Sequence, residues 1–493
     1  MRIKVQFFAR SIQVMLSFFC LLASLSAISR LFALPVQPYF RFETTEQQAY
    51  WQLLNMRFAN ARVAIQQIPE QNLIRIYLEN WADVLEMIGN QDEGLYLSKL
   101  SLREERLRRL QQGNPQSPYH LFLQAEVRLQ WALAQVVFDE PLAAAWNIRK
   151  AFHLLQANSQ LYPEFEGNHK SLGILQVLFG AVPAQYEWLL SLWGLSGSTA
   201  KGFAMLTNVA TGNSVYAPEA QLWLVLLKSQ LESTPILQVS NSPHQPGKWL
   251  LATAYRKIGN SSMALRLLQD LPTDAPSLLC WEKATALLNS GHYREALQWL
   301  ELFENKHKGA DLLKDAQLKR FWCYWLQNCN EEAMVALQKV TRAGRTRTEA
   351  DKHAAYWAAL RPLPDRRLLQ ARLLTDGGYV ESAGEVLQAI NPQTLSLPDL
   401  CEYYYRLARN AHRAGNWSQA IAYYETCLVK ARGAAFYFLP SAALQAGIIS
   451  KHYQKDLSKA RYYLHRALEY RQHPYKKSID RKAKEILTTL SKQ

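Results

Sequence analysis

Apolar residues recur at helical spacing along almost the whole chain. In the C-terminal half, amphipathic segments come in pairs, such as CWEKATALLNSG followed directly by GHYREALQWLE. Apolar positions three and four residues apart share one face of a helix. The alternating pattern of strands and tight hairpins does not occur. The pattern therefore predicts an all-α protein built of paired antiparallel helices.

Four of the predicted turns share one spacing, a glycine followed five residues later by an alanine. The pairs are Gly259/Ala264, Gly291/Ala296, Gly378/Ala383 and Gly415/Ala420, and two degenerate copies keep only Ala333 and Ala460. Glycine accepts the left-handed backbone that ends many helices, and alanine allows close helix packing. Tetratricopeptide repeats have this form and a period near 34 residues. We predict a right-handed α-solenoid of such hairpins over residues 246–470, with an extra helix at Glu349–Ala359.

The N-terminal half is helical with less regular repeats. Residues 34–165 predict degenerate helical repeats, and residues 166–245 form an apolar block. Within this block, Pro183 divides the apolar stretch Lys170–Gly202 into runs shorter than the ~20 residues needed to span a bilayer. We therefore predict two short helices buried between other helices. A re-entrant or interfacial membrane segment is the alternative.

Residues 1–33 combine a basic start with an apolar run and a small-residue end. This pattern predicts a secretory signal, with an uncleaved N-terminal anchor as the alternative. Removing these residues lowers the net charge from +15 to +11. The remaining excess favours acidic partners or anionic surfaces and does not by itself indicate nucleic acid. The prediction is an exported protein, periplasmic or associated with the outer membrane.

Three blocks resemble one family in the right order. They are GILQVLFGAVPAQYEWLLSLWGLSGSTAKGFAML, RLLTDGGYVESA and the terminal block that starts at FYFLPSAALQAG, and together they cover roughly residues 165–490. The chain thus resembles the tetratricopeptide repeat 39 family and its inclusion-body-clearance relatives. That resemblance implies an α-helical repeat protein without catalytic residues. An exported bacterial-type version suits the signal-like start.

Motifs for catalysis, cofactors or metals are missing from the sequence. It contains no GxGxxG, GxxxxGK[ST], HExxH or GxSxG, and its histidines lack ligand spacing. We therefore predict no enzymatic activity, no cofactor and no metal site. The cysteines after Cys20 form no CxxC framework, which favours free buried thiols. Antiparallel packing would also bring Cys401 and Cys427 together, so a disulfide is the alternative in an oxidising compartment.

The repeat register places a set of aromatic and basic residues on the first helix of each hairpin, along the concave face. This candidate partner groove comprises Trp249, Arg256, Trp281, Trp322, Trp325, Arg372, Tyr405, Arg409, His412 and Arg413. Aromatic rings with interleaved arginines suit an extended or acidic peptide, although the aromatic residues also suit a core between repeats.

Residues 471–493 carry seven basic and two acidic side chains. A polar helix that caps the solenoid explains them, and attraction to an anionic surface is the alternative. The sequence thus predicts a scaffold of the cell envelope that binds a protein or peptide partner and no nucleic acid. A peripheral membrane or lipid-associated adaptor, using the apolar block and the basic end, is the second hypothesis.

Overall fold

The structure is a computed structural model. It describes residues 37–182, 187–231, 247–272, 274–360, 363, 365–431, 436, 438–471, 473 and 475–490. Within these ranges lie 24 α-helices, and the pairing of extended backbone is limited to one bridge between Tyr39 and Asn72. The predicted all-α array of helical hairpins is confirmed. The signal-like residues 1–33 lie outside the described residues.

Ten helices make up the N-terminal half. They are α1 (Thr44–Leu54), α2 (Phe58–Gln66), α3 (Ile74–Asn90), α4 (Glu93–Gln111), α5 (Pro118–Val137), α6 (Pro141–Leu161), α7 (Glu166–Gly180), α8 (Glu187–Leu192), α9 (Thr199–Thr211) and α10 (Ala217–Leu231). Their buried side chains form one continuous core that extends from Phe42 to Leu227. Despite its irregular repeats, this half therefore packs as one unit.

Fourteen helices follow. They are α11 (Lys248–Lys257), α12 (Ser261–Leu267), α13 (Ser277–Asn289), α14 (Tyr293–Lys306), α15 (Leu313–Leu326), α16 (Asn330–Arg342), α17 (Glu349–Ala359), α18 (Arg366–Gly377), α19 (Val380–Gln388), α20 (Leu397–Arg413), α21 (Trp417–Lys430), α22 (Leu439–His452), α23 (Leu457–Glu469) and α24 (Lys476–Leu490). The helices α11 to α23, except α17, form six hairpins. The extra helix α17 has the predicted bounds, and α24 packs on the last hairpin.

The turns of these hairpins have the predicted geometry. The four repeat glycines have φ between +76° and +89°. In each turn the next N–H donates to a carbonyl near the end of the first helix, as from His292 to Leu287 O at 3.0 Å, which satisfies a helix-end acceptor. All six repeat alanines are buried. Glycine adopts the left-handed turn without strain, and alanine allows the close approach of the helices.

The same turn occurs where the sequence lacks glycine. Asn328 (φ +63°) takes the glycine position in one degenerate copy, and Lys455 (φ +58°) lies in the turn of the other, which is one residue longer. In the N-terminal half, Gln91 (φ +50°) and Asp139 (φ +68°) occupy this position between α3 and α4 and between α5 and α6. The N-terminal repeats thus keep the geometry of the C-terminal ones but have lost its sequence signal.

The C-terminal array curls back on itself. Helix α18, of the fourth hairpin, packs against α13 of the second. An added Cβ at Gly378 would lie 2.1 Å from Gly259 O in the first hairpin, and Arg413 of the fifth hairpin donates to Ile258 O at 2.6 Å. The extra helix α17 precedes this fold-back, which draws the concave faces of separate hairpins together.

The apolar block is buried in only one of its two predicted helices. Helix α7 lies in the core, with Leu175 and Val177 at most 1% exposed. Helix α8 is instead at the surface, where Trp188 and Leu192 are 59% and 72% exposed. The expectation of burial is therefore wrong for the second helix. Within the described residues, no helix has both the length and the apolar character needed to cross a bilayer.

Cys401 and Cys427 are both buried and both free. They belong to the same hydrophobic cluster. Burial raises the pKa of the Cys427 thiol, and the neighbouring Cys401 adds to this effect. The structure thus has the free thiols that the missing cysteine framework favours, rather than the alternative disulfide.

Candidate interaction surfaces

The predicted groove residues lie on the first helices of five hairpins, as the repeat register indicates. They belong to α11, α13, α15, α18 and α20. Trp322 and Tyr405 are buried, Arg413 is exposed, and the other seven are half-buried. Most of them contact one another or neighbouring polar groups. The structure thus places them on first helices without leaving them all open to a partner.

At one end of this face, Arg256 and Trp281 belong to an internal charge network. Two hydrogen bonds join the Arg256 guanidinium to Glu282, one of them 3.0 Å long, and the guanidinium lies 5.2 Å from the centre of the Trp281 ring. Trp281 Nε1 donates to Asp315 Oδ2 at 2.8 Å, and Asp315 also pairs with Lys319. Burial lowers the pKa of Arg256, but the charge of Glu282 and its hydrogen bonds have a larger combined effect, so the pKa of Arg256 is raised. These cations already have counter-charges, so we assign them a structural role.

In the middle of the face, Arg372 lies among aromatic rings. Its guanidinium is 5.2 Å from the centres of both the Trp322 and the Trp357 rings, and its Nη2 is 3.1 Å from His353 Nε2. Burial, followed by the charge of Arg372, lowers the pKa of His353 well below its usual value. Neutral His353 therefore accepts a hydrogen bond from Arg372. The repeat register did not include His353, because this residue lies on the extra helix α17.

A second cluster lies near the C-terminal end of α20. Arg409 and Arg413 flank His412, whose Nδ1 is 3.4 Å from Tyr424 Oη. Burial and the two arginines lower the pKa of His412 to about 4. The pKa of Arg413 is also lowered, by burial and then by Arg409. Two positive charges, those of Arg409 and Arg413, thus lie close to His412 at this end of α20.

One carboxylate serves three arginines here. Asp376 Oδ2 lies 3.8 Å from Arg372 Nε. Its negative charge also acts on Arg409, whose pKa is raised mainly by Tyr424 and Tyr405, and on Arg413, where it only partly offsets the lowering of the pKa by burial and Arg409. Tyr405 is adjacent, with its ring centre 6.1 Å from that of Tyr424. The region around Asp376 therefore combines several arginines with this carboxylate, next to the buried rings of Tyr405 and Tyr424.

The remaining groove residues lie apart from this cluster. Trp249 Nε1 donates to Leu54 O of α1 at 2.9 Å, so this side chain joins the two halves of the chain. Trp325 stacks on Phe321, and the Arg366 guanidinium lies 3.7 Å from the centre of its ring. Trp249 thus stabilises the junction between the halves, and Trp325 packs between Phe321 of its own helix and Arg366 at the start of α18.

The sequence pattern did not predict a further exposed surface, which lies on α6 and α8. On α6, Leu142 and Trp146 are 81% and 50% exposed. Arg149 and Lys150 lie 5.8 and 5.0 Å from the centre of the Trp146 ring. Arg149 Nε also donates to Trp193 O at 3.1 Å, which connects this face to the exposed side of α8. We call the exposed side chains of Leu142, Trp146, Arg149, Lys150, Trp188, Leu192 and Trp193 the tryptophan patch.

Comparison with known proteins adds little to this picture. No family model matches the sequence, and no curated protein matches it. Among solved structures, the chain aligns with one from the crystal structure of the APC/C hetero-tetramer Cut9–Hcn1, over 88% of this chain and 95% of that one. The identity is 11% and the TM-score 0.22. The resemblance to the tetratricopeptide repeat 39 family therefore stays a prediction.

Proposed function

We propose that this chain is a non-enzymatic scaffold that binds an acidic segment of a protein partner through the concave face of its C-terminal hairpins. The observation that carries the proposal is the cluster of Arg409, His412 and Arg413 at the end of α20, within electrostatic range of Asp376, which itself lies 3.8 Å from Arg372. A cluster with more cations than counter-charges attracts a complementary anionic surface and orients it. We also propose that the protein is exported, because the sequence of residues 1–33 has the pattern of a secretory signal.

The residues of this face have different roles in the proposal. Arg409 and Arg413 bind carboxylates of the partner, because Asp376, the acidic side chain near them, is already 3.8 Å from Arg372 Nε. Tyr405 is buried and packs against Tyr424, so it supports the helix that carries these arginines and does not meet the partner directly. Arg256 and Trp281 hold the neighbouring helices through Glu282 and Asp315 and do not meet the partner directly.

A defined peptide tests this proposal. Fluorescence anisotropy would measure the binding of a labelled peptide with alternating Glu and Leu residues to the full chain. We expect Arg409→Gln/Arg413→Gln to weaken binding about tenfold, since two charge-assisted hydrogen bonds are lost. Binding by wild type should also fall as salt rises.

The matched control removes two arginines elsewhere. Arg108 and Arg342 are both exposed and lie outside the concave cluster, so Arg108→Gln/Arg342→Gln changes the net charge equally. We expect this control to bind the peptide as wild type does. Equal loss in both variants would show a non-specific charge effect, and no loss in either would contradict the proposed site.

The tryptophan patch favours a second candidate function, contact with a membrane surface. Exposed tryptophans with adjacent basic residues are typical of segments that lie in the headgroup region of a bilayer. Trp146, Trp188 and Trp193 carry this apolar character, and Arg149 and Lys150 suit anionic lipid. In this hypothesis the chain is a peripheral adaptor that docks through α6 and α8.

Vesicle flotation distinguishes the two functions. A membrane adaptor should float with vesicles that contain phosphatidylglycerol, and Trp188→Ala/Trp193→Ala should abolish flotation. The control Leu397→Ala/Val429→Ala removes two apolar side chains that are 56% and 69% exposed in the C-terminal array, and it should float normally. Failure of wild type to float would eliminate the membrane function and leave the scaffold proposal intact.

A further inference from the structure

Two adjoining cavities lie in the N-terminal half, far from the concave cluster around Asp376. The first, of about 160 Å³, is bounded by α3, α5, α6, α7 and α10. The second, of about 130 Å³, continues toward α1 and α11. Trp81, Leu133 and Trp223 line both cavities, and most of the wall is aliphatic or aromatic. An apolar cavity near 150 Å³ is large enough to bind benzene.

Charged groups border the first cavity, but their hydrogen bonds are already used. Lys170 Nζ donates to Glu126 Oε2 at 2.7 Å and to Glu219 Oε2 at 2.9 Å. Glu126 also accepts from Ser171, and Glu219 accepts from Tyr50 and from Trp223 Nε1. Burial opposes the ammonium charge, but the two carboxylates outweigh it and raise the pKa of Lys170. The cluster is therefore a closed structural network.

Two donors that line the first cavity are different, because they have no acceptor. Trp81 is 7% exposed and Gln130 is 4% exposed. Among the described residues, neither Trp81 Nε1 nor Gln130 Nε2 finds a hydrogen-bond partner. The amide oxygen of Gln130 is fixed by Asn80 Nδ2 at 2.6 Å, which leaves its NH₂ group to the cavity side. A buried donor without an acceptor costs about 1–3 kcal/mol.

The balance of charge at the cavity selects the ligand class. Two carboxylates and one ammonium leave a net negative charge beside the cavity, which would repel an anionic ligand. The apolar wall would also strip water from that ligand, which costs further free energy. A cation would have to compete with Lys170, Ser171, Tyr50 and Trp223, because every oxygen of the two carboxylates already accepts at least one hydrogen bond. A neutral ligand avoids both costs.

We infer that this cavity is a binding site for a neutral, mainly apolar molecule, about the size of one substituted aromatic ring, that carries one carbonyl or hydroxyl oxygen. The oxygen accepts hydrogen bonds from Trp81 Nε1 and Gln130 Nε2. The apolar body occupies the space between Leu133, Ile174 and Trp223. This site shares no residue with the cluster around Asp376, so disproving the proposed scaffold function would not affect this inference.

A matched pair of probes tests the inference in the full chain. The ketone 4-fluoroacetophenone and the hydrocarbon 1-ethyl-4-fluorobenzene have nearly the same shape, but only the ketone carries an acceptor. Fluorine NMR titration gives a dissociation constant for each. We expect wild type to bind both saturably and to prefer the ketone about threefold to tenfold, the value of one or two buried hydrogen bonds.

Three variants locate the effect. Trp81→Phe removes one donor, and Gln130→Leu removes the other. Each should reduce the preference for the ketone and leave the affinity for the hydrocarbon within about twofold. Ile174→Trp fills the cavity and should abolish the binding of both probes. Trp146→Phe changes an exposed tryptophan of the same half and should alter neither affinity.

Two results would overturn the inference. One is the absence of saturable binding of either probe to wild type. The other is an equal preference for the ketone in wild type, Trp81→Phe and Gln130→Leu, which would place the probe elsewhere. Because the two donors are tested separately, a folding defect in one variant leaves the other to decide.

Discussion

The two halves of this chain use the same helical hairpin for different kinds of core. In the N-terminal half, α1 to α10 enclose one continuous core in which Lys170, Glu126 and Glu219 are all at most 6% exposed. In the C-terminal array the core is divided into smaller clusters, and the concave face carries half-buried arginines and tryptophans. Clear repeats accompany a segmented core, and irregular ones accompany a continuous core.

This difference shows what a repeat signal reports. A recognisable repeat requires each hairpin to make the same contacts as its neighbours. The N-terminal helices reach 21 residues and surround cavities and a buried ion network, so each position has its own surroundings and a shared pattern is lost. The interaction surfaces differ accordingly, with cations around Asp376 in one half and apolar cavities in the other.

The largest expected effect is in the N-terminal half. Lys170→Met removes the ammonium and leaves two buried carboxylates facing each other, so the free energy of unfolding should fall by about 3–5 kcal/mol. Denaturant titration measures the change. Lys201→Met, at an exposed position of α9, should have little effect. Equal stability of wild type and Lys170→Met would mean that the continuous core does not depend on the ion network.

Glycine substitutions test the fold-back of the C-terminal array. Gly291 and Gly378 have similar φ, +83° and +89°, but a Cβ at Gly291 would meet no atom within 4 Å, whereas at Gly378 it would lie 2.1 Å from Gly259 O. We expect Gly291→Ala to cost about 1 kcal/mol from backbone strain alone and Gly378→Ala about 2–3 kcal/mol. Thermal unfolding compares them. Equal costs would mean that the first and fourth hairpins do not touch as described.

Acidification tests the cationic cluster. The pKa of His412 is lowered to about 4, whereas its unfolded value is about 6.5. As the pH is lowered, His412 therefore becomes protonated in the unfolded chain at a higher pH than in the folded chain. The free energy of unfolding should fall as the pH drops from about 6.5 to 4. Allowing for partial solvent screening, the loss is about 1–2 kcal/mol. His412→Gln should show a correspondingly smaller loss in denaturant titrations at pH 7 and pH 4.5; an identical pH dependence would contradict the cluster.

The smallest effect compares the degenerate turns of the two halves. Lys455 is exposed, as is the side chain of Asp139, and both residues have positive φ. Lys455→Gly and Asp139→Gly should each stabilise the chain by about 0.5–1 kcal/mol, because glycine adopts this backbone without strain. Alanine at the same positions keeps the strain and should give no gain in melting temperature. Stabilisation by alanine would mean that relief of backbone strain in the turn does not explain the gain in stability.

Local chemistry explains which features the sequence predicts correctly. The turns at Gly259, Gly291, Gly378 and Gly415 and the helix α17 depend on residues next to one another in the chain, so a short pattern suffices. The matching turns at Gln91 and Asp139 lack glycine and were missed.

The candidate site was predictable only in part. The repeat register placed Arg372, Arg409 and Arg413 on first helices, but their proximity to Asp376 depends on how α18 packs against α20. His353 and the cavity donors Trp81 and Gln130 likewise acquire their surroundings from residues distant in sequence. The exposure of α8 reverses the prediction from its apolar composition, since few core elements cover it.

The most direct test of the scaffold proposal is crosslinking in the cell, followed by affinity capture and identification of the bound proteins. Wild type, Arg409→Gln/Arg413→Gln and the control Arg108→Gln/Arg342→Gln would be compared at equal expression and with equal melting temperatures. The proposal predicts one set of acidic partners that is shared by wild type and the control and is lost from the Arg409→Gln/Arg413→Gln variant. Retention of the same partners by that variant would contradict it.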